Sequence, residues 1–176
     1  MKHKLLLLCI ILVISFKKDS TVKINEISVK APFEMPPVKV PDFSDCPKIP
    51  ITDFGAIQGD KEKTSQAIAS AFDKANAMGG GIVVIPAGEW LTGQIHFKSN
   101  VNLHLNKDAV LLFSENPTDY LPAVHTTWEG MECNNYSPLI YAYECKNIAI
   151  TGEGEIKAKL DIWKKWFARS KPHMES

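Results

Sequence analysis

One short helix followed by a train of short β segments, with no second helix among them, is the feature that most limits the fold of this chain. The segments read "GIVVIPAG", "EWLTGQIHF", "VNLHLNKDAVLLF", "SPLIYAY" and "KNIAITGEGEI". Each is bounded by Gly, Asn, Asp or Pro, residues that turn a chain, and apolar residues recur within them at the spacing of half-buried strands. Two of them begin alike: "SNVNLHL" at 99–105 and "KNIAITG" at 146–152 both set Asn before a β-branched residue. Asn at a corner with alternation after it suits the coil of a β-solenoid, which must bend and then turn one face inward. An antiparallel sandwich can be built from the same strands. It more often shows hairpin dipeptides such as Asn-Gly or Asp-Gly, and neither occurs here.

The helix itself lies in "TSQAIASAFDKANAMGGG". Ala67, Ile68, Ala71, Phe72, Ala75 and Met78 fall on one side at helical spacing, which predicts a helix over 64–78. Thr64 or Ser65 is suited to cap its start, and Gly79 to end it in the left-handed conformation. Ahead of it, "ITDFGAIQGD" contains Asp53-Phe54-Gly55, the triplet with which protein kinases hold magnesium. Phosphoryl transfer needs a Gly-rich loop, a strand lysine and a catalytic loop beside that triplet, and the chain has none of these motifs.

Composition narrows the partners. The 176 residues include 20 basic and 20 acidic side chains, so the overall charge favours neither nucleic acid nor an anionic membrane surface. Lysine supplies nearly all of the positive charge, for Arg169 is the only arginine. Bidentate recognition of carboxylate or phosphate normally draws on more of them.

The N-terminus "MKHKLLLLCIILVISFKKDS" has a basic start and then an apolar run, Leu5 to Ile14, too short for a span that needs about 20 residues. It is expected to be a secretory signal peptide over 1–16, with export to the periplasm or the cell exterior and no membrane span. Residues 17–50 are polar and rich in proline, as in "APFEMPPVKVPDFSDCPKIP", and are expected to form a leader or extended arm with folded sequence starting near Ile51. Cys46, Cys133 and Cys145 show no C-x-x-C spacing, so zinc is not suggested. A Cys133–Cys145 bridge is open to an exported protein, the plainer expectation being unpaired thiols.

Taken as ordered blocks, "ITDFGAIQGD", "NAMGGGIVVIPAGEWLTGQIHFKSNVNLHLNKDAVLLFS", "NPTDYLP", "WEG" and "SPLIYAYECKNIAITGEGEI" resemble the N-terminal part of glycoside hydrolase family 28, the polygalacturonases, especially bacterial pectin-degrading members. The resemblance implies an all-β, right-handed parallel β-helix over 51–176 whose first coil is covered by a short capping α-helix. It implies hydrolysis of pectic polysaccharide, galacturonan or rhamnogalacturonan, without a cofactor. In such a fold Asp53-Phe54-Gly55 leads into the cap and carries no metal. The family's chemistry rests on N-T-D, D-D, G-H-G and R-I-K motifs, whose acids protonate the leaving oxygen and activate water while cations hold the uronate. None of the four occurs in these residues. The expectation is therefore a truncated portion with no catalytic residue of its own. The alternatives are a non-catalytic β-solenoid that binds glycan or builds an assembly, and a calcium-dependent pectate lyase-like protein on the same fold.

Within the chain, the insertion "NPTDYLPAVHTTWEGMECNNYSP" draws most interest, since aromatics and carboxylates on loops over a solenoid face can stack and bond sugar rings. Trp128 and Glu129 are its candidate substrate-binding residues. The plainer expectation for Trp128 is a buried anchor of the loop. Glu153 and Glu155 stand two apart, as a strand-borne acid pair would, yet flanking glycines favour a solvated turn. His96, His104 and His125 share no metal-ligand spacing, and no metal site is expected. Trp163, Trp166 and Phe167 form a helical apolar stripe, expected to be exposed on these residues alone.

Overall fold

The structure, a computed structural model, describes residues 22–169. The signal-peptide segment lies outside the described residues, as do the side chains of Trp166 and Phe167. The elements in order are strands β1 (Lys23–Ile27), β2 (Val38–Asp42) and β3 (Lys48–Pro50), helix α1 (Lys61–Ala77), strands β4 (Gly81–Ile85), β5 (Gly88–Thr92), β6 (Ile95–His96), β7 (Val101–Leu105), β8 (Ala109–Phe113), β9 (Val124–Trp128), β10 (Met131–Asn135), β11 (Ile140–Tyr141), β12 (Ala149–Gly152) and β13 (Glu155–Ala158), and helix α2 (Leu160–Arg169).

These strands stack as coils. Sheet order β3-β4-β7-β12 forms one wall, β5-β8-β13 a second and β6-β11 a third, and every pairing within the three walls is parallel. Each residue pairs with one a full circuit later: Gly81 with Val101, Gly88 with Ala109. This is a parallel β-helix. Alternation along each strand then builds columns of like residues through the stack. Val83, Leu103 and Ile150 form one column, and Trp90, Leu111 and Ile156 another. Val83, Leu103 and Leu111 are fully buried, each of them contributing roughly 1.5–3 kcal/mol on leaving water. At the last coil the same columns reach solvent, and Ile150 and Ile156 are half exposed.

The repeated asparagines form the corner between the third wall and the first. Asn100 and Asn147 both hold positive φ, 64° and 53°, in the left-handed region where Asn is tolerated better than bulkier residues. The Asn147 amide donates to the Asn100 side-chain oxygen at 2.9 Å, so one corner fixes the next.

Helix α1 covers the first coil through Ala67, Ile68, Ala71, Phe72 and Ala75, all buried as their spacing predicts. Phe72 meets Phe97 edge to face at 5.0 Å. The helix starts three residues earlier than expected, because the Asp60 carboxylate accepts the Lys63 N–H at 3.0 Å and takes the cap. Thr64 is inside the helix, buried, with its hydroxyl donating to the Ile57 carbonyl at 2.8 Å. Gly79, at φ 82°, ends the helix as expected. Helix and sheet approach so closely that a Cβ on Gly81 would stand 2.8 Å from the Ala75 Cβ. Asp53 is exposed in a 3-10 turn, Ile51–Phe54, that Gly55 closes in the left-handed conformation.

The expected leader is more ordered than its prolines suggest. Strands β1 and β2 pair antiparallel, and β3 joins the first wall with Ile49 opposite Val83. Pro50 is accommodated because β3 is the edge of that wall, where a missing N–H breaks no ladder. Val22, Phe43 and Cys46 are buried against Ile82 and Ala149, so folded structure precedes Ile51.

Candidate functional site

The third wall carries the insertion between β8 and β11. Its first residues are pinned beneath α1. Lys61 Nζ donates to both oxygens of Asp119 at 2.8 Å, and the Ser114 hydroxyl donates to the same carboxylate. Burial pushes the Asp119 carboxyl up, but the hydrogen bonds from Lys61 and Ser114 and the Lys61 charge outweigh it and leave the group below its ordinary range. Tyr120 is buried, donates to the Ser114 carbonyl at 2.6 Å, and is pushed up to about 12 by burial and then by the Asp119 charge.

Beyond this anchor the expected loop is an antiparallel hairpin, β9 paired with β10. Glu129 and Gly130 form its two-residue turn with φ 50° and 84°, both positive as type I′ hairpin turns require. Glu-Gly performs here the task usually signalled by Asn-Gly. Trp128 is 63% exposed, so it is not the buried anchor expected of it; Tyr120 fills that role. Trp128 pairs with Met131 and His125 with Asn134, and alternation puts Trp128 and His125 on opposite faces of the hairpin.

His125 instead turns toward the third wall, where four rings meet. Tyr143 packs edge-on to His125 at 5.5 Å, Tyr141 and Tyr143 lie 6.2 Å apart with planes within 3°, and His96 tilts against Tyr141 at 5.2 Å. Their placement follows from the coil. His96 and Tyr141 are register partners on β6 and β11, and Tyr143 stands two residues beyond Tyr141. The Tyr141 hydroxyl donates to the His125 carbonyl at 2.7 Å and ties the hairpin to the wall. Partial burial and the neighbouring Tyr143 push that hydroxyl up, so it remains protonated. His96 Nε2 shares hydrogen bonds with Gln94 Oε1 at 2.9 Å and Ser137 Oγ at 3.3 Å, and burial lowers its basicity. The sequence "YAY" sets the two tyrosines two apart, Tyr141 closing β11 and Tyr143 in the bend after it.

The remaining candidates do not join this cluster. His104 hydrogen-bonds with Thr151 at 2.8 Å on the outside of the first wall. Glu153 lies in a turn and Glu155 opens β13 beside Lys157, which agrees with solvated charges. Among the described residues Cys46, Cys133 and Cys145 form no disulfide. Trp163 packs edge-on to Tyr120 at 5.4 Å, so this part of the terminal stripe folds back on the insertion. Among the described residues no group of three or more His, Cys, Asp or Glu is placed to hold a metal ion, and no helix is long and apolar enough to cross a membrane.

A helix-capped stack of parallel coils with rings set on one outer wall defines a parallel β-helix protein. No family model matches the chain. It is 31% identical over 123 residues to a probable polygalacturonase of Vitis vinifera, a match covering 64% of this chain and 25% of the relative. Its fold is similar to a hyperthermoactive exopolygalacturonase from Thermotoga maritima, with TM-score 0.58 and 40% identity over 62% of this chain and 24% of that one. The family 28 exopolygalacturonase of Yersinia enterocolitica is also similar, with TM-score 0.55 and 32% identity over 68% of this chain and 22% of that one. Over this stretch the chain is related to the family 28 polygalacturonases, and it spans about a quarter of the length of the curated relative it matches.

Proposed function

We propose that this chain contributes the cap and early coils of an exported glycoside hydrolase that acts on pectic polysaccharide, and that it holds glycan without carrying the hydrolytic acids. The observation that carries the reading is 40% identity to an exopolygalacturonase over residues that adopt the same coils. The fold gives these coils a physical task. Parallel walls stiffen one another circuit by circuit, and a rigid outer wall can present rings to a sugar chain at little conformational cost. The N-terminal apolar run supports export, to the periplasm or beyond the cell. The N-T-D, D-D, G-H-G and R-I-K motifs do not occur in these residues, so the reading assigns them no hydrolytic acid.

The test is to pass the pure chain over immobilised pectin and assay the same material for new reducing ends. Retention without release of reducing ends is expected. Release would overturn the non-catalytic part of the reading, and failure of pectin to retain the chain would overturn the pectic part.

A further inference from the structure

The four-ring cluster has a chemical character that narrows its ligand. Tyr143 is half exposed, so its ring offers an apolar surface to solvent while its neighbours hold it in place. Such a ring can cover the C–H face of a pyranose, and the polar edge of the cluster can bond its hydroxyls. The rings are already locked: Tyr141 through the His125 carbonyl, His96 through Gln94 and Ser137. Little side-chain freedom remains to be lost on binding.

Charge decides which sugar. Among the described residues the polar atoms that bond the four rings are neutral, being the His125 carbonyl, Gln94 Oε1 and Ser137 Oγ. Lys98, further along this wall, is bound to Asp73 on α1, Lys146 is not among the groups that bond the rings, and the exposed carboxylate of Glu144 directly follows Tyr143. A free uronate set on the cluster loses hydration from its carboxylate, meets no cation among the groups that bond the rings, and approaches the like charge of Glu144. A methyl ester removes that charge, adds an apolar methyl to lie against a ring, and keeps a carbonyl acceptor.

We propose that His96, His125, Tyr141 and Tyr143 form a stacking subsite for uncharged sugar units, which takes methyl-esterified in preference to free galacturonate. The proposal rests on the pectic reading above. It is tested by titrating the full chain with galacturonate oligomers of one length, either fully methyl-esterified or fully de-esterified, at a single ionic strength. The esterified oligomer is expected to bind about tenfold more tightly, Tyr143→Ala to weaken it by about tenfold, and Tyr143→Phe to keep it, since the ring face and not the hydroxyl makes the contact. Should Tyr143→Ala fail to fold, saturation transfer from aromatic protons of the unaltered chain to the ester methyl supplies the second readout, and its absence overturns the proposal. Equal or tighter binding of the free acid, or esterified binding indifferent to Tyr143→Ala in a folded protein, overturns the subsite and leaves the pectic reading standing. Binding of neither oligomer overturns both.

Discussion

The coils and the insertion they carry are held by different forces. In the coils, an inward residue pairs with its equivalent one circuit away, so Val83 and Leu103, or Trp90 and Leu111, act as stacked copies of one choice, continued by Ile150 and Ile156 at the half-exposed last coil. In the insertion, a few directional bonds do the holding: Lys61 to Asp119, Tyr120 to the Ser114 carbonyl, Tyr141 to the His125 carbonyl. Apolar columns tolerate little loss of volume and are indifferent to pH. The insertion is expected to show the reverse sensitivities.

The sharpest break of the coil interior is Phe113→Ala. Phe113 is fully buried at the end of β8, and the truncation leaves a cavity that the neighbouring coils cannot close, costing about 3–5 kcal/mol. Urea denaturation of the variant and the unaltered chain measures the loss. A smaller effect is expected from Gly152→Ala at the turn between β12 and β13. Gly152 has φ 107°, and an added Cβ would stand 1.9 Å from the Leu105 carbonyl oxygen, so the last coil must shift at a cost of about 1–3 kcal/mol. Local amide exchange in β12 and β13 should accelerate before that in β4 and β5. Uniform acceleration would mean that the coils unfold as one unit.

This difference also explains what was legible in the sequence. Columns repeat, so Asn100 and Asn147 mark the corner and the spacing of Ala67 to Ala75 marks the cap in the sequence itself. Proline in sequence signals a breaker and points to a boundary at Ile51, whereas the edge strand β3 admits Pro50 and folded structure begins before it. The hairpin is not legible in the sequence because its turn is Glu-Gly, and positive φ at Glu129 is imposed by the flanking strands rather than favoured by the residue. Which face a ring of the insertion takes follows from register, and residue type alone does not give it: Trp128 and His125 lie on opposite faces of the hairpin. Tyr141 and Tyr143 gained their importance only when β11 settled beside β6 and brought His96 to them.

The insertion's sensitivity is expected in its pH dependence. Asp119 has a carboxyl held below its ordinary value of 3.8, so the pair's stabilisation is fully present above that value and is lost as pH falls through the lower folded value. Lys61 is raised above 10.5, first by its hydrogen bond to Asp119, so the same stabilisation persists up to that value and is lost as pH rises through the higher folded one. Both partners are mostly shielded from solvent, and Asp119→Asn is expected to cost about 1–2 kcal/mol at pH 7. At pH 2 the gap between variant and unaltered chain should narrow. A gap that stays constant between pH 7 and pH 2 would show that the amide is disrupting packing and not removing a charge. Solvent exposure of Tyr120, followed by its near-ultraviolet signal, should track the loss, since its hydroxyl bonds the same Ser114 that bonds Asp119.

The smallest effect is expected at Trp128, and it separates stability from recognition within the insertion. With 63% of its surface in water, Trp128→Ala removes little buried area and should change the unfolding free energy by less than about 0.5 kcal/mol. Its face of the hairpin points away from His125, so the four-ring cluster should keep its geometry, seen as unchanged His125 and Tyr143 ring resonances. If the stacking subsite lies on that cluster, esterified oligomers should bind the variant as they bind the unaltered chain. Weakened binding with intact stability would instead extend the glycan surface around the hairpin tip to Trp128 and its cross-strand partner Met131, which is 66% exposed. The two faces of one hairpin would then serve one ligand, and recognition would no longer be confined to the face that carries His125.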